Sequence, residues 1–496
     1  MTDLATLPPP SDFLAACPKF RILVLGNPES TKQELFAKIF GVDLEKKLVD
    51  DAFSADHQIG QELDLHGQNA RLAIHACLNF GTADKANYDR VHAFLASRSA
   101  PTIKPEDRIH CVWYYVASEE NRSVGELETR FFTGDLHAAA PYMPVVLVFT
   151  KYDEYVSQVK LEWSRNADEH GLSKVAVSHI LRDLSSKKFE KEIGKKWDDV
   201  LNGRIPRVCV SSGEDEDSAR SSEELAEATL ACLRDKNVKL AFAAAQRNSA
   251  LISTRFAAEA AAEEYFEVDT GHARKRHGID MREILPNFVA KAVQLFNMRD
   301  PSDTLSTIIS EGFLARILDA TFDPTQKGLL AECLRRSGTE SGSILLNLTP
   351  HERAVLLAQA LAGVLLLLHR LADAQWTHDH RRHHHHPLTR AGVERQLEEI
   401  GRGSREKGEV LHTVEESTIF TTCTLRQGVA DLLVQAVMRA DAALRSGMRG
   451  HERGGSREII VEDDSELQDI FWRSVHDHKR PDDVVLPCGL TVLPLT

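Results

Sequence analysis

The sequence predicts an α/β domain with a mostly parallel sheet, followed by an all-α C-terminal extension. Two observations in the 496 residues support this prediction. Between Phe20 and Ile205, apolar runs of strand length alternate with charged stretches of helical pattern, which is typical of a parallel sheet covered by helices. From Ile284 to Ala374, leucine, isoleucine and alanine recur at helical spacings between scattered prolines. We therefore expect two folded parts of different class.

Five apolar runs are the expected strands of the sheet. They read FRILVLG from Phe20, ARLAIHAC from Ala70, HCVWYYV from His110, PVVLVFT from Pro144 and RVCVSS from Arg207. The aromatic triplet Trp113, Tyr114 and Tyr115 could stack on a ligand, but its place inside a strand favours the hydrophobic core.

The second half is expected to be helical. A long helix is predicted to start at Ser222–Glu224, because the next forty residues are rich in alanine and leucine and hold no proline or glycine. The run AVLLAQALAGVLLLL, Ala354 to Leu368, contains a glutamine and is shorter than the roughly 18 residues that a membrane span needs. It therefore predicts a buried helix, and residues 424–444 predict one more.

Composition limits the function classes. Sixty basic and 74 acidic residues give a net charge of −14, which argues against a chain-wide footprint for nucleic acid or anionic lipid. The eight cysteines contain no C-x-x-C pair, and Met1–Pro10 lacks the basic region of a secretory signal. We expect a cytoplasmic protein with reduced thiols, no nucleic-acid partner, no transmembrane segment and no structural metal site.

The first strand runs into a segment with the spacing of a phosphate-binding loop. Lys32 lies six residues after Gly26, ahead of an amphipathic helical pattern. In the pattern G-x-x-x-x-G-K-[ST], backbone N–H groups surround the phosphates, the lysine meets the β/γ oxygens and the final hydroxyl binds magnesium. Here Thr31 replaces the second glycine and Gln33 replaces the hydroxyl, so the magnesium contact is expected to weaken more than the phosphate contacts. The predicted phosphate-binding residues are Gly26, Asn27, Pro28, Glu29, Ser30, Thr31, Lys32 and Gln33. The alternative is an ordinary strand, turn and helix with one exposed lysine.

A second element, TKYD at Thr150 to Asp153, directly follows the apolar strand PVVLVF. In guanine-nucleotide binders, [NT]-K-x-D places its carboxylate opposite the guanine N1 and N2 donors, and the lysine stem packs along the base. Adenine offers an acceptor at N1 and no 2-amino group, so a carboxylate there selects guanine. Thr150, Lys151 and Asp153 are therefore the expected base-binding residues. The next strand ends in VSSG, which resembles a loop whose backbone amide meets the guanine oxygen, and it adds Ser211 and Ser212.

With these motifs the chain resembles the fungal family of G-domain proteins within the phosphate-loop GTPase group. The resembling segments are FRILVLGNPESTKQELFAKIFGV, IHACLNFGTADKANYDRVHAFLASR, DRIHCVWYYV, PVVLVFTKYDEYVSQ and the AAQR stretch at Ala244–Arg247. The resemblance covers about residues 19–300 and implies a GTPase-like fold that binds GTP or GDP. Where that family reads something like H-D-S-x-G-F-E, this chain reads HACLNFG. The magnesium-holding aspartate thus aligns with Ala76, the γ-phosphate-sensing glycine with Asn79, and Phe80 stands where small GTPases place a water-positioning glutamine.

Two functional hypotheses follow. The first is a guanine-nucleotide-binding protein that is at most a slow GTP hydrolase, with magnesium binding in doubt. The second is a pseudo-GTPase that binds no nucleotide and serves as a scaffold for a protein partner that the sequence does not identify. The expected organisation is a flexible tail at 1–18, a GTPase-like domain at 19–220, a long helix and helical domain at 221–375, and a His-rich loop with one helix and partly disordered sequence at 376–496.

Two further segments have functional and neutral interpretations. The histidines at 383–386, with His378 and His380, could bind a transition metal through neutral imidazoles, or they form a repeat expansion in a tolerant loop. The cluster Ala273–His277, ARKRH, could contact an acidic partner, although a solvated loop between helices is the simpler interpretation.

Overall fold

The computed structural model divides the chain into two compact units. The α/β unit comprises residues 19–239 with 455–496, and the helical unit comprises residues 1–18 with 240–454. The structure describes residues 14–26, 32–42, 59–63, 65, 68–78, 80, 85–100, 102–118, 124–166, 174–201, 203, 205–211, 216–265, 281–298, 350–382, 389–407, 430–431, 433–442, 445, 485–486 and 490–491.

The α/β unit is built on a five-stranded parallel sheet. Its strands are β1 (Phe20–Gly26), β2 (Leu72–Leu78), β3 (Cys111–Ala117), β4 (Val145–Thr150) and β5 (Arg207–Cys209). They are the five predicted apolar runs, and the predicted α/β class with a parallel sheet is confirmed. The strand order β2-β1-β3-β4-β5 puts neighbours on both sides of β1, so the chain leaves β1 and β2 in opposite directions across the sheet. In such sheets ligands bind beyond the carboxyl ends of the strands at this switch point.

Both faces of the sheet are covered, which is why its strands are apolar throughout. On one face lie α1 (Lys32–Phe40) and, later in the chain, a helix at Glu216–Cys232. Trp113 is fully buried there: its ring lies 5.9 Å from that of Phe36 and 5.5 Å from that of Phe40, and its indole N–H donates to Thr229 Oγ1 at 3.0 Å. Tyr114 and Tyr115 are equally buried, so the prediction that the aromatic triplet belongs to the core is confirmed.

Alternate residues of the strands point to the opposite face, where an aromatic core lies. The helices whose side chains build this core are α2 (Lys85–Arg98), α3 (Glu126–Arg130), α4 (Leu136–Ala139), α5 (Tyr152–Asn166), α6 (Lys174–Phe189) and α7 (Lys195–Leu201). One π-helical turn, Phe131–Asp135, joins α3 to α4, and another, Glu190–Gly194, joins α6 to α7. Tyr114 packs against Trp197 of α7 at 5.9 Å and donates a hydrogen bond to the buried Glu128.

The long helix predicted from Ser222 is wrong, because this stretch forms three helices. They are α8 (Glu216–Cys232), α9 (Lys236–Ala245) and α10 (Ala250–Tyr265), and the boundary between the two units falls within α9. Asp235 Oδ1 accepts hydrogen bonds from the N–H groups of Asn237 and Val238 at 2.8 and 3.4 Å, which starts α9 afresh. Gln246 Oε1 accepts from Asn248 and Ser249 at 3.0 and 2.8 Å and so holds the turn before α10.

In the helical unit, α10, α11 (Met281–Phe296) and α13 (Arg390–Lys407) pack against α12 (Pro350–Arg382). Residues 357–368 of α12 are buried where they are described, so the prediction of a buried helix at this run is confirmed. Residues 433–442 are also helical, within the stretch predicted to form one more helix. Among the described residues, no helix combines the length and the apolarity needed to cross a membrane.

A buried ionic cluster joins the helices around α12. Arg370 donates to Gln396 Oε1 at 2.8 Å, to Glu399 Oε2 at 3.0 Å and to Asp441 Oδ1 at 3.0 Å. The nearby His369 has its Nδ1 3.0 Å from the Thr254 hydroxyl and its Nε2 3.9 Å from Asp441. Burial lowers the pKa of His369, although Asp441 opposes the shift. Two further short strands, Val485–Leu486 and Leu490–Thr491, pair antiparallel near the C-terminus.

Candidate functional site

The carboxyl edge of the sheet brings parts of all three predicted motifs together. Gly26 ends β1, Thr150 ends β4, and Ser211 lies just after β5. Gly26 pairs with Tyr115, and Thr150 pairs with Ala117, so the ends of β1, β3 and β4 are adjacent. This edge is the place where the switch-point rule for doubly wound sheets locates a ligand.

Gly26 can only be glycine at the end of β1. Its φ is +107°, and a Cβ at this position would lie 2.2 Å from the carbonyl oxygen of Tyr115 and 2.9 Å from its nitrogen. The chain therefore leaves the sheet in close contact with the backbone of β3, in a conformation that favours glycine. Asn27, Pro28, Glu29, Ser30 and Thr31 lie outside the described residues.

Lys32 and Gln33 are the first two residues of α1, and their side chains are also outside the description. The N-terminus of α1 thus follows Gly26 within six residues. Free N–H groups and the helix dipole make such a helix start favourable for anions. Contacts between these side chains and phosphate stay predictions.

The TKYD loop is fixed from both sides. Thr150 accepts a hydrogen bond from the Ser118 N–H at 2.9 Å, and the Tyr152 N–H donates to Val210 O at 3.2 Å. Between them, Lys151 has a φ of 60°, a left-handed conformation that is uncommon for a residue with a side chain. Such a strained conformation persists only where the surrounding structure stabilises it. Residues in this conformation are concentrated at functional sites.

Within this loop, alternate side chains take different directions. Tyr152 faces the core, where its ring lies 5.4 Å from that of Phe189, and burial raises the pKa of its phenol. The stem of Lys151 is mostly buried, and its ammonium group lies 3.8 Å from the Glu154 carboxylate. Asp153 is half-buried in the first turn of α5, where the helix dipole favours a carboxylate. The TKYD loop therefore presents one cation, Lys151, and one anion, Asp153, and the partly buried ring of Tyr152 holds it against the core.

Serines of α8 hold the loop after β5. The Ser211 N–H donates to Ser221 Oγ at 3.2 Å, and Ser218 Oγ donates to the Ser211 carbonyl at 2.8 Å. Ser221 Oγ in turn donates to the Ser218 carbonyl at 2.9 Å, and all three serines are buried. Because the Ser211 amide is already bonded, the predicted amide contact to a guanine oxygen rests on Ser212, which lies outside the described residues.

Sequence reasoning missed Ser118, the residue directly after β3. Its side chain is 0% exposed, and its hydroxyl has no hydrogen-bond partner among the described residues. A buried polar group left unpaired costs about 1–3 kcal/mol, so such groups are rare outside sites where a ligand or water completes them. Its position immediately after a fully apolar strand, at the edge where ligands bind, was the sequence signal that could have identified it.

Two positions that the family resemblance aligns with metal and catalytic residues, Ala76 and Phe80, are apolar and buried. Ala76 is 2% exposed inside β2, and Phe80 is 3% exposed. The Phe80 ring lies 4.8 Å from Phe131, 5.6 Å from Tyr88 and 6.0 Å from Tyr114, so it belongs to the aromatic core. Asn79 and the histidines at 383–386 lie outside the described residues. In the described part of the chain, no three His, Cys, Asp or Glu side chains come together as a metal site.

No protein-family model and no curated protein matches this chain. What the fold establishes is an α/β protein with a five-stranded parallel sheet and a mainly helical second unit.

Proposed function

We propose that this protein binds a guanine nucleotide, GTP or GDP, at the carboxyl edge of its sheet and hydrolyses it slowly or not at all. One observation supports this proposal above the others. Gly26 and the TKYD loop are two separate motifs, and both lie at the carboxyl edge of the same sheet with a residue at positive φ, Gly26 itself and Lys151. A chance match of either motif would not require both a close approach at Gly26 and a left-handed Lys151.

Each group at the edge has a proposed role. Lys32 and the backbone N–H groups at the start of α1 bind the phosphates, since the helix start concentrates positive potential there. Asp153 accepts hydrogen bonds from guanine N1–H and the 2-amino group, and the stem of Lys151 packs along the base. The hydroxyl of Ser118, which has no partner within the described part of the chain, supplies one further hydrogen bond from inside the edge.

Weak turnover follows from the buried positions. Magnesium neutralises charge that develops between the β- and γ-phosphates, and Ala76 offers no oxygen to hold it. Phe80 cannot orient a water, because its ring is packed in the core. We propose a cytoplasmic setting, in which thiols such as those of Cys111 and Cys232 stay reduced.

The decisive experiment is a binding titration with fluorescent GTP and ATP analogues, with and without magnesium, on wild type and Asp153→Asn. We expect micromolar affinity that prefers guanine and barely responds to magnesium. Losing two hydrogen bonds to a charged acceptor should weaken GTP about 100-fold or more and admit xanthosine triphosphate. Glu162→Gln is the matched control, because it removes the same charge from a later turn of the same helix and should leave the guanine preference unchanged.

The second candidate is a pseudo-GTPase scaffold that binds a protein partner and no nucleotide. Two observations favour it: the burial of Phe80, and the Ser211 amide that is already bonded to Ser221. Absence of binding at hundreds of micromolar, together with indifference to Asp153→Asn, would select this scaffold over the nucleotide binder.

A further inference from the structure

An exposed apolar stripe runs along the helical hairpin of α5 and α6. Among the described residues, four large apolar side chains are classed as exposed, and three of them lie on this hairpin: Leu161 at 60%, Ile180 at 41% and Leu184 at 38%. Exposing such side chains on two packed helices is unfavourable unless another group covers them.

The positions of these residues place them on one surface. Leu181, Ser185 and Phe189 of α6 are buried, whereas Ile180, Leu184 and Lys187 follow each other at spacings of four and three residues on the solvent side. An ion pair between Lys188 and Glu162 holds α6 beside α5. Leu161, next to Glu162 on α5, is itself 60% exposed to solvent. We call Leu161, Ile180, Leu184 and Lys187 the hairpin stripe.

The surroundings of the hairpin stripe are basic. Residues 182–196 contain six lysines and arginines but only three acidic residues, whereas the whole chain has a net charge of −14. The side chain of Lys187 is 74% exposed, and Lys191, Lys195 and Lys196 are also exposed. An occupant with apolar side chains and several carboxylates would match this surface.

The chain itself contains such a segment. Residues 459–472, IIVEDDSELQDIFW, hold five acidic residues and no basic one. Ile460, Leu467 and Phe471 recur at helical spacing among them. This segment lies outside the described residues, but the stretch that contains it, 455–496, groups with the α/β unit that carries α5 and α6.

We propose that residues 459–472 dock on the hairpin stripe, with their apolar side chains on Leu161, Ile180 and Leu184 and their carboxylates facing the lysines of α6 and α7. Covalent attachment makes the docking intramolecular, so a weaker contact suffices than for a separate molecule. An anionic membrane is the less favoured occupant, because the strongly negative chain as a whole is repelled from it. The docking is independent of the nucleotide proposal, since it uses neither Lys32 nor Asp153.

The test is hydrogen exchange of the full chain, measured by mass spectrometry on the peptide that spans residues 459–472. The reversal variant Lys187→Glu with Lys191→Glu should speed exchange in that peptide at least tenfold. Adding Asp463→Lys and Asp464→Lys should restore protection to within about threefold of wild type. The matched control Lys85→Glu with Lys104→Glu changes two exposed lysines of the same unit away from the hairpin and should leave the peptide unchanged.

Four results would overturn the proposal. The first is exchange of residues 459–472 in wild type at the rate of an unstructured peptide. The second is protection that persists in the reversal variant while its thermal unfolding is unchanged. The third is protection that disappears on dilution, which would assign the hairpin stripe to a second copy of the chain. Binding of the wild-type chain to phosphatidylserine vesicles without any protection of residues 459–472 would equally replace the proposed occupant by a membrane.

Discussion

Gly26, at the end of β1, allows the packing of the sheet edge to be tested, because its substitution by alanine adds one carbon atom there. In Gly26→Ala the new Cβ would lie 2.2 Å from the Tyr115 carbonyl oxygen. An ordinary contact is above 3 Å, so β1 and β3 must separate by roughly 1 Å or the peptide must rotate. The φ of +107° adds a conformational penalty that glycine does not have.

The expected loss of stability combines these two effects. A positive φ costs an alanine about 1–2 kcal/mol, and forcing an extra carbon into a packed site costs about 1–3 kcal/mol. We therefore expect Gly26→Ala to lower the free energy of unfolding of the α/β unit by about 2–5 kcal/mol.

Two other glycines separate the causes. Gly203 has a φ of +65°, and no atom of the described residues lies within 4 Å of an added Cβ, so Gly203→Ala should show the conformational penalty alone, about 1 kcal/mol. Gly60 has open space and no positive φ, so Gly60→Ala should be near neutral. The assay is urea unfolding followed by hydrogen exchange of β1 and β3 peptides. A loss in Gly26→Ala no larger than that in Gly203→Ala would refute the proposed contact with Tyr115.

Three further predictions concern buried polar groups. Ser118→Ala should stabilise the nucleotide-free protein by about 1 kcal/mol, because it removes a buried hydroxyl that no described residue bonds, yet it should weaken nucleotide binding. Thermal unfolding and the GTP titration measure the two effects. Burial lowers the pKa of His110 to about 4, and its neutral ring accepts from the Arg21 N–H and bonds the Pro105 carbonyl. The free energy of unfolding should therefore decrease by about 3 kcal/mol as the pH falls from about 6.5 to 4. His110→Gln should flatten this part of the pH–stability curve. Arg370→Met should destabilise the helical unit by about 1–3 kcal/mol, because Glu399 would lose this guanidinium and the buried Asp441 would keep only that of Arg445; an unchanged midpoint in urea unfolding would contradict this.

The sheet was predictable because a parallel strand buried on both faces is an uninterrupted apolar run, and five such runs stand out in this sequence. The breaks between α8, α9 and α10 were not predictable from helix propensity, because neither contains proline or glycine. Each depends on a side chain, Asp235 or Gln246, that bonds backbone N–H groups in place of the helix. Such competition is decided by the folded surroundings.

For the candidate site, local motifs were enough to select Gly26 and the TKYD loop, and the parallel topology places both at the same edge. The roles of Ser118 and of the α8 serines depend on burial and on partners far away in sequence or in another element. Ser211 looked like a ligand contact from its motif, but its amide is bonded to Ser221, ten residues away. Sequence spacing alone does not show whether a polar group is already satisfied.

The strand order has a consequence for the biogenesis of the chain. Strand β1 pairs with β2, which begins at Leu72, and with β3, which begins at Cys111. At a synthesis rate of about 5–20 residues per second, β1 emerges roughly 5–18 s before its second partner exists. During that interval an apolar strand has at least one open edge, and its pairings carry the entropy cost of large loops. The nascent chain should therefore depend on a chaperone that shields β1 until β3 has been translated.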